Sequence, residues 1–353
     1  MITPTMTLDR DAVAAVDSSG QLAEVLDLPI HLRDALWRVE SSGAVPVDAA
    51  GGAIVAGMGG SAIGGRLALG ALGRRLTRPL LVWDGYGLPG WAGASTLVLC
   101  SSYSGRTEET LSAYDEAAQR GAPRIVVTTG GALAERARRD RAPVIPIPGG
   151  FQPRAAVGYT LVAALEAARL AGAAPAVHDE IEAAAGLGGA LAAEWGPDGG
   201  DDGVAKTLAR ALHGTVPVLV GAEAAAAVAY RWKTQFNENA DLPAFVAPLP
   251  EADHNEVVAW PALRELGRFS IVILDDPGAH PRNVLRAELT AGLAAEAGVA
   301  VVRVPARGET PLERLVSLVL LGDLVSLYAA VLRGADPGDV AVLDRLKAQL
   351  SGG

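Results

Sequence analysis

Two short loops carry most of the anion-binding capacity of this chain, Gly57-Met-Gly-Gly-Ser61 and Ser101-Ser-Tyr-Ser-Gly-Arg-Thr107. Each follows a strand-like apolar run and leads into a predicted helix. A helix start exposes unpaired backbone N–H groups and the positive end of its dipole, which suits an anion. The small residues let backbone amides approach a ligand, and the hydroxyls add donors at the same place. Gly59, Gly60, Ser61, Ser102, Ser104 and Thr107 are therefore candidate ligands of a phosphate dianion. Two other readings stand beside this one. Gly57-x-Gly59-x-x-Ala62 fits a dinucleotide fingerprint, with Asp84 at the end of the next strand as the ribose-binding acid, and this points to an oxidoreductase. Simple helix capping by Ser104 or Thr107 explains one hydroxyl. Four hydroxyl residues in the seven positions 101–107 favour phosphate.

Further along, Arg154 follows Pro153 at a predicted helix start, where the dipole disfavours a cation unless an anion is near; a solvated surface Arg is the alternative. Asn237-Glu238-Asn239 follows a helical stretch over 224–236 and reads as a base held between amides or as a polar helix end. His254 lies in the titratable loop Glu251-Ala-Asp-His-Asn-Glu256, where Asp253 and Glu256 could orient its ring; a surface His is the alternative. None of the five histidines is spaced for metal binding and there is no Cys pair, so no metal site is expected. The single Cys100, inside an apolar run, reads as a core residue.

These groups need elements to hold them. Apolar runs at 53–56, 79–83, 95–99, 124–128 and 144–147 read as buried strands separated by helices, which is the pattern of a parallel sheet covered on both faces. Runs at 217–220, 244–246, 270–274 and 299–303 repeat the plan, and 97–129 aligns with 271–305. The expectation is an α/β chain of two similar domains: residues 1–175, a connecting helix and linker over 176–203, and residues 204–353. Residues 6–42 read as helical. Where the first copy has Ser101-Ser102 the second has Asp275-Asp276, so phosphate belongs to the first. A net charge of −10 without a basic run argues against nucleic acid. The apolar stretch 315–332 is broken by Gly322 and Asp323 and reads as a buried helix, not a membrane span. The first residues, 1–6, lack a basic, then apolar, leader, and the cytoplasm is the expected location.

Taken together, Gly57–Ser61, Ser102–Thr110, Pro153–Tyr159, Gln235–Ala240 and Asp253–Glu256 resemble, in type and order, the bifunctional phosphoglucose/phosphomannose isomerases, which are built from two sugar isomerase (SIS) domains. The resemblance runs from about residue 50 to Lys347. It implies interconversion of glucose 6-phosphate, or mannose 6-phosphate, with fructose 6-phosphate, without a cofactor. It implies Glu238 as the base, Arg154 beside the enediolate, and His254 and Lys347 in ring opening, His254 reaching across a homodimer. A non-catalytic SIS protein that binds a sugar phosphate is the alternative from another class. Three positions depart from the family pattern: Arg106 replaces the usual Asn, Asp241 a frequent Lys, and Asp336-Pro-Gly-Asp-Val340 lacks a Thr often found nearby. These departures leave the epimer range open.

Overall fold

The computed structural model describes residues 7–351; the reading of residues 1–6 as lacking a leader lies outside the described residues. Short apolar runs without polar alternation suit strands covered on both faces. In the first half they form β1 (Ala53–Ala56), β2 (Leu80–Trp83), β3 (Leu97–Ser101), β4 (Arg124–Thr128) and β5 (Val144–Pro146), all parallel, in the order β2-β1-β3-β4-β5. In the second half β6 (Val216–Ala222), β7 (Phe245–Leu249), β8 (Phe269–Asp275) and β9 (Ala300–Pro305) are again all parallel, in the order β7-β6-β8-β9. The two orders correspond strand for strand, with β5 lacking a counterpart among the described residues. The aligned stretches are β3, helix Glu108–Gln119 and β4 in one half, and β8, helix Pro281–Glu296 and β9 in the other.

Side chains alternate across each sheet. Val55, Leu99 and Val127 from the first sheet and Leu219, Val272 and Val304 from the second enter one shared core. Ile54, Val98 and Cys100 line an outer core of the first half, and Val218, Val220 and Ile273 one of the second. Helices between the sheets fill the shared core: Leu28–Ser41, Gly59–Leu72, Val157–Leu170, His178–Trp195, Ala224–Ala240 and Pro311–Arg333 all contribute. The last of these has the length and hydropathy to cross a bilayer, but 94% of its apolar stretch is buried, as expected of a core helix. It packs tightly against Ala224–Ala240 because Gly322 has no side chain. A Cβ there would lie 2.1 Å from Trp232 Nε1, whose N–H donates to the Leu318 carbonyl at 2.8 Å.

Several strand ends shift by one to three residues, and three segments differ in kind from the sequence reading. Within the described part of the stretch read as helical, residues 7–42 hold three helices, Arg10–Ala14, Gln21–Leu26 and Leu28–Ser41. The helix from Ala224 runs on to Ala240, so Asn237-Glu238-Asn239 lies inside its last turn. Tertiary capping holds that turn: Arg333 donates from Nε to the Ala240 carbonyl at 2.6 Å and from Nη2 to that of Asp241 at 3.1 Å. The Glu251–His254 segment is a 3₁₀ turn.

The arrangement aims two loops at one place. From β1 the sheet extends to β2 on one side and β3 on the other. In open parallel sheets, ligands bind beyond the strand ends at this switch point, where the loops after β1 and β3 sit. The helices following β1 and β6 run antiparallel: a Cβ on Gly70, near the end of one, would lie 3.0 Å from Ala224 Cα at the start of the other. The end of Ala224–Ala240 therefore returns toward the start of Gly59–Leu72.

Candidate active site

Met58 and Thr107 occupy the N-cap positions of helices Gly59–Leu72 and Glu108–Gln119, and neither side chain caps its helix. Thr107 Oγ1 instead lies 2.8 Å from Ser102 Oγ, so the capping alternative does not describe this loop. Ser61 Oγ accepts from the Tyr103 N–H at 3.1 Å and ties the two loops together. Ser104 Oγ accepts from the Arg106 N–H at 3.3 Å and is exposed. A hydroxyl whose oxygen already accepts keeps its own hydrogen to donate. The loops thus combine open helix starts with spare O–H donors, the donor set an oxyanion needs.

Gly59 has φ +49, a left-handed conformation open to glycine. Gly60 has a steric reason: a Cβ would come within 2.9 Å of Arg154 N and 3.0 Å of Arg154 Cα. That contact brings the segment Pro153–Ala156, a 3₁₀ turn, against the first loop. Arg154 is 3% exposed, not a solvated surface cation. Its Nη1 meets Glu238 Oε2 at 3.2 Å, its Nε donates to Asn239 Oδ1 at 2.8 Å, and its Nη2 donates to the Pro337 carbonyl. Burial pulls the Arg154 guanidinium below its ordinary value, and Glu238 opposes that shift. The Glu238 side chain remains one-third exposed, accessible to a small molecule. An unbroken series of contacts therefore joins the hydroxyl loops, through Gly60 and Arg154, to Glu238.

That series includes neither His254 nor Lys347. His254 is exposed on its 3₁₀ turn. Asp253 accepts from Arg286 at 3.0 Å and Thr290 at 2.8 Å, so its carboxylate is committed to helix Pro281–Glu296. Lys347 lies exposed on helix Ala341–Ser351, its Nζ 3.9 Å from Asp344 Oδ1.

In the second half the corresponding strand ends are self-neutralised. Asp275 is held by both ends of Arg303 at 2.9 and 2.8 Å. Asp276 accepts from Arg314 Nε at 2.7 Å and from the Gly278 N–H at 2.8 Å. Asp84, the acid of the dinucleotide reading, accepts from Arg66 Nη2 at 2.8 Å. Cys100 is fully buried and its thiol is pushed up to about 12, so it is no nucleophile at neutral pH. No cluster of three metal-ligating side chains occurs among the described residues.

Sequence reasoning placed Asn239 beside the base but did not pair it with Arg154, and it assigned no site role to Arg231, Asp323, Ser326 or Pro337. The signal for two of these was present: Arg231 lies two turns before Asn239 on one helix, and Asp323 interrupts an apolar run that has no other reason to carry a charge.

Comparison with known proteins shows the family and the fold. Residues 201–350 match the family described as bacterial phospho-glucose isomerase C-terminal SIS domain. A solved structure of the hypothetical protein TT0462 from Thermus thermophilus superposes with a TM-score of 0.74 at 19% identity, covering 98% of this chain and 94% of that one. The chain is thus an α/β protein of two SIS-type domains. A bifunctional phosphoglucose/phosphomannose isomerase of Caldicellulosiruptor bescii is 39% identical over 84% of this chain and 89% of its own length. One from Aquifex aeolicus is 34% identical over 85% and 90%. The chain belongs to the bifunctional phosphoglucose/phosphomannose isomerase family, and the isomerase resemblance read from its motifs is borne out.

Proposed function

We propose that this enzyme interconverts glucose 6-phosphate, and mannose 6-phosphate where its pocket admits that epimer, with fructose 6-phosphate through a cis-enediol. The observation that carries the reading is the buried Arg154 lying between Glu238 and the Gly60–Ser61 loop. In this proposal Gly59, Gly60, Ser61, Ser102, Ser104 and Thr107 hold the 6-phosphate. Glu238 removes the proton from C2 of the open-chain aldose and returns it to C1, while a proton moves from O2 to O1. A carboxylate can abstract that proton only if charge developing on the enediolate is stabilised, and Arg154 supplies a fixed cation in a largely water-excluded position. Hydride never leaves the sugar, so the scheme uses no redox cofactor.

His254 opens the ring from a second copy of the chain in this proposal, with Lys347 assisting. Support comes from its exposure and from exposed apolar side chains on the neighbouring segment and on helix Pro281–Glu296, to which Asp253 is tied. Val258 is 81% exposed, and Leu285, Leu289 and Leu293 form an exposed stripe along helix Pro281–Glu296. A second copy seated there would cover that surface. The cytoplasm remains the expected location.

The test is direct. Purified protein supplied with fructose 6-phosphate alone produces glucose 6-phosphate, and Glu238→Gln lowers kcat by about 10²-fold or more. Phosphosugar binding without turnover by the unmodified protein would favour a non-catalytic sugar-phosphate-binding role.

A further inference from the structure

Resting on the isomerase reading above, we propose that Arg231 and Asp323 are a positioning pair that holds Arg154 in place against Glu238. Both are buried, at 1% and 2% exposure, in the core between the sheets. Arg231 donates to Asp323 through a fork, Nε to Oδ1 at 2.9 Å and Nη2 to Oδ2 at 2.6 Å. Its Nη2 also donates to the Arg154 backbone carbonyl at 3.1 Å.

A closed ring of hydrogen bonds follows. Arg154 Nε donates to Asn239 Oδ1, Asn239 Nδ2 donates to Ser326 Oγ at 2.8 Å, and Ser326 Oγ donates to the Asp323 carbonyl at 2.7 Å. Asp323, through Arg231, leads back to Arg154. Three elements are closed in this ring: the 3₁₀ turn Pro153–Ala156, helix Ala224–Ala240 and helix Pro311–Arg333.

Burying an ion pair is an expensive way to join two helices, and an apolar pair of similar volume often serves stability as well or better. What an apolar pair cannot provide is a donor to the Arg154 carbonyl. Arg231 can bind both Asp323 oxygens and that carbonyl because its guanidinium presents several donors in a rigid fork. Arg154 is then fixed at the backbone by Arg231 and at the head by Asn239, Glu238 and Pro337. Reaction rates respond steeply to small misplacements of such groups. The pair acts through Arg154 and does not touch the substrate.

Two variants test this, with wild type in parallel. The double variant Arg231→Met/Asp323→Leu removes both charges together and leaves no unpaired buried ion. Arg231→Lys keeps the charge pair but loses the fork. For the folded double variant the expected result is a kcat at least tenfold lower, a KM for fructose 6-phosphate within threefold of wild type, and a thermal midpoint no lower than that of Arg231→Lys. If the double variant does not fold, the same kcat and KM thresholds apply to Arg231→Lys. A folded variant with kcat within twofold of wild type overturns the proposal. So does a KM that rises as much as kcat falls, because that pattern reports a disturbed pocket. Wild-type protein that turns over no hexose 6-phosphate defeats the isomerase reading itself, and this inference with it.

Discussion

At the residue scale, the hydroxyl loop separates ligand binding from capping. Thr107 sits where a cap belongs, yet its side chain bonds to Ser102. Thr107→Val removes one donor and changes shape little. A hydrogen bond to a charged group contributes about 1.5–3 kcal/mol, so KM for fructose 6-phosphate is expected to rise about tenfold or more, with kcat within threefold. Steady-state kinetics check this; a variant with unaltered KM removes Thr107 from the phosphate site. The two hydroxyl-bearing loops were legible as candidate anion sites because small residues and hydroxyls at a strand-to-helix turn have few other uses. Arg154 and Glu238 were legible as isolated residues and became a pair only through the fold, since their meeting depends on two antiparallel helices from different halves of the chain.

At the element scale, β1 and β4 match their apolar runs residue for residue, because a strand buried on both faces has little room for polar side chains. The end of helix Ala224–Ala240 was not legible. Asn237 and Asn239 are weak helix formers, and their turn persists through partners distant in sequence: Arg333 on the terminal carbonyls, Arg154 and Ser326 on Asn239. The same helix depends on its close approach to Pro311–Arg333 at Gly322. Gly322→Ala is expected to force Trp232 and the two helix backbones apart, costing about 1–3 kcal/mol. Urea denaturation measures it, and a midpoint equal to that of wild type would show that the interface has slack.

At the scale of the whole molecule, both sheets close on one helical core, and a buried titratable group sits within it. His31, on helix Leu28–Ser41, is 5% exposed, stacks on Phe151 with ring centroids 5.0 Å apart and approaches Tyr159 at 5.2 Å. Burial pulls its imidazole below the ordinary value of about 6.5, against the opposing pull of Asp27 and Asp34. The folded state therefore favours the neutral ring. The stability it contributes is fully present above about 6.5 and is lost as pH falls through the folded value. Urea midpoints at pH 7 and pH 5 are expected to differ more for wild type than for His31→Gln; equal differences would remove His31 as a source of acid sensitivity.

The salt links of Asp275 to Arg303 and Asp276 to Arg314 carry a consequence for how the duplicated architecture works. Two copies of one plan offer two strand-end mouths, and a doubly charged solute could in principle be drawn to either. In the second copy Asp275 and Asp276 are each paired with an arginine, and Glu223 accepts from the His280 N–H and Asn283 Nδ2, so carboxylates stand where the first copy has hydroxyls. At the first, the end of β3 and the loop after it carry Ser101, Ser102, Ser104 and Thr107 instead. On the proposed scheme, duplication supplies a scaffold twice and a receptor once, and the second copy serves as the arm that delivers Glu238.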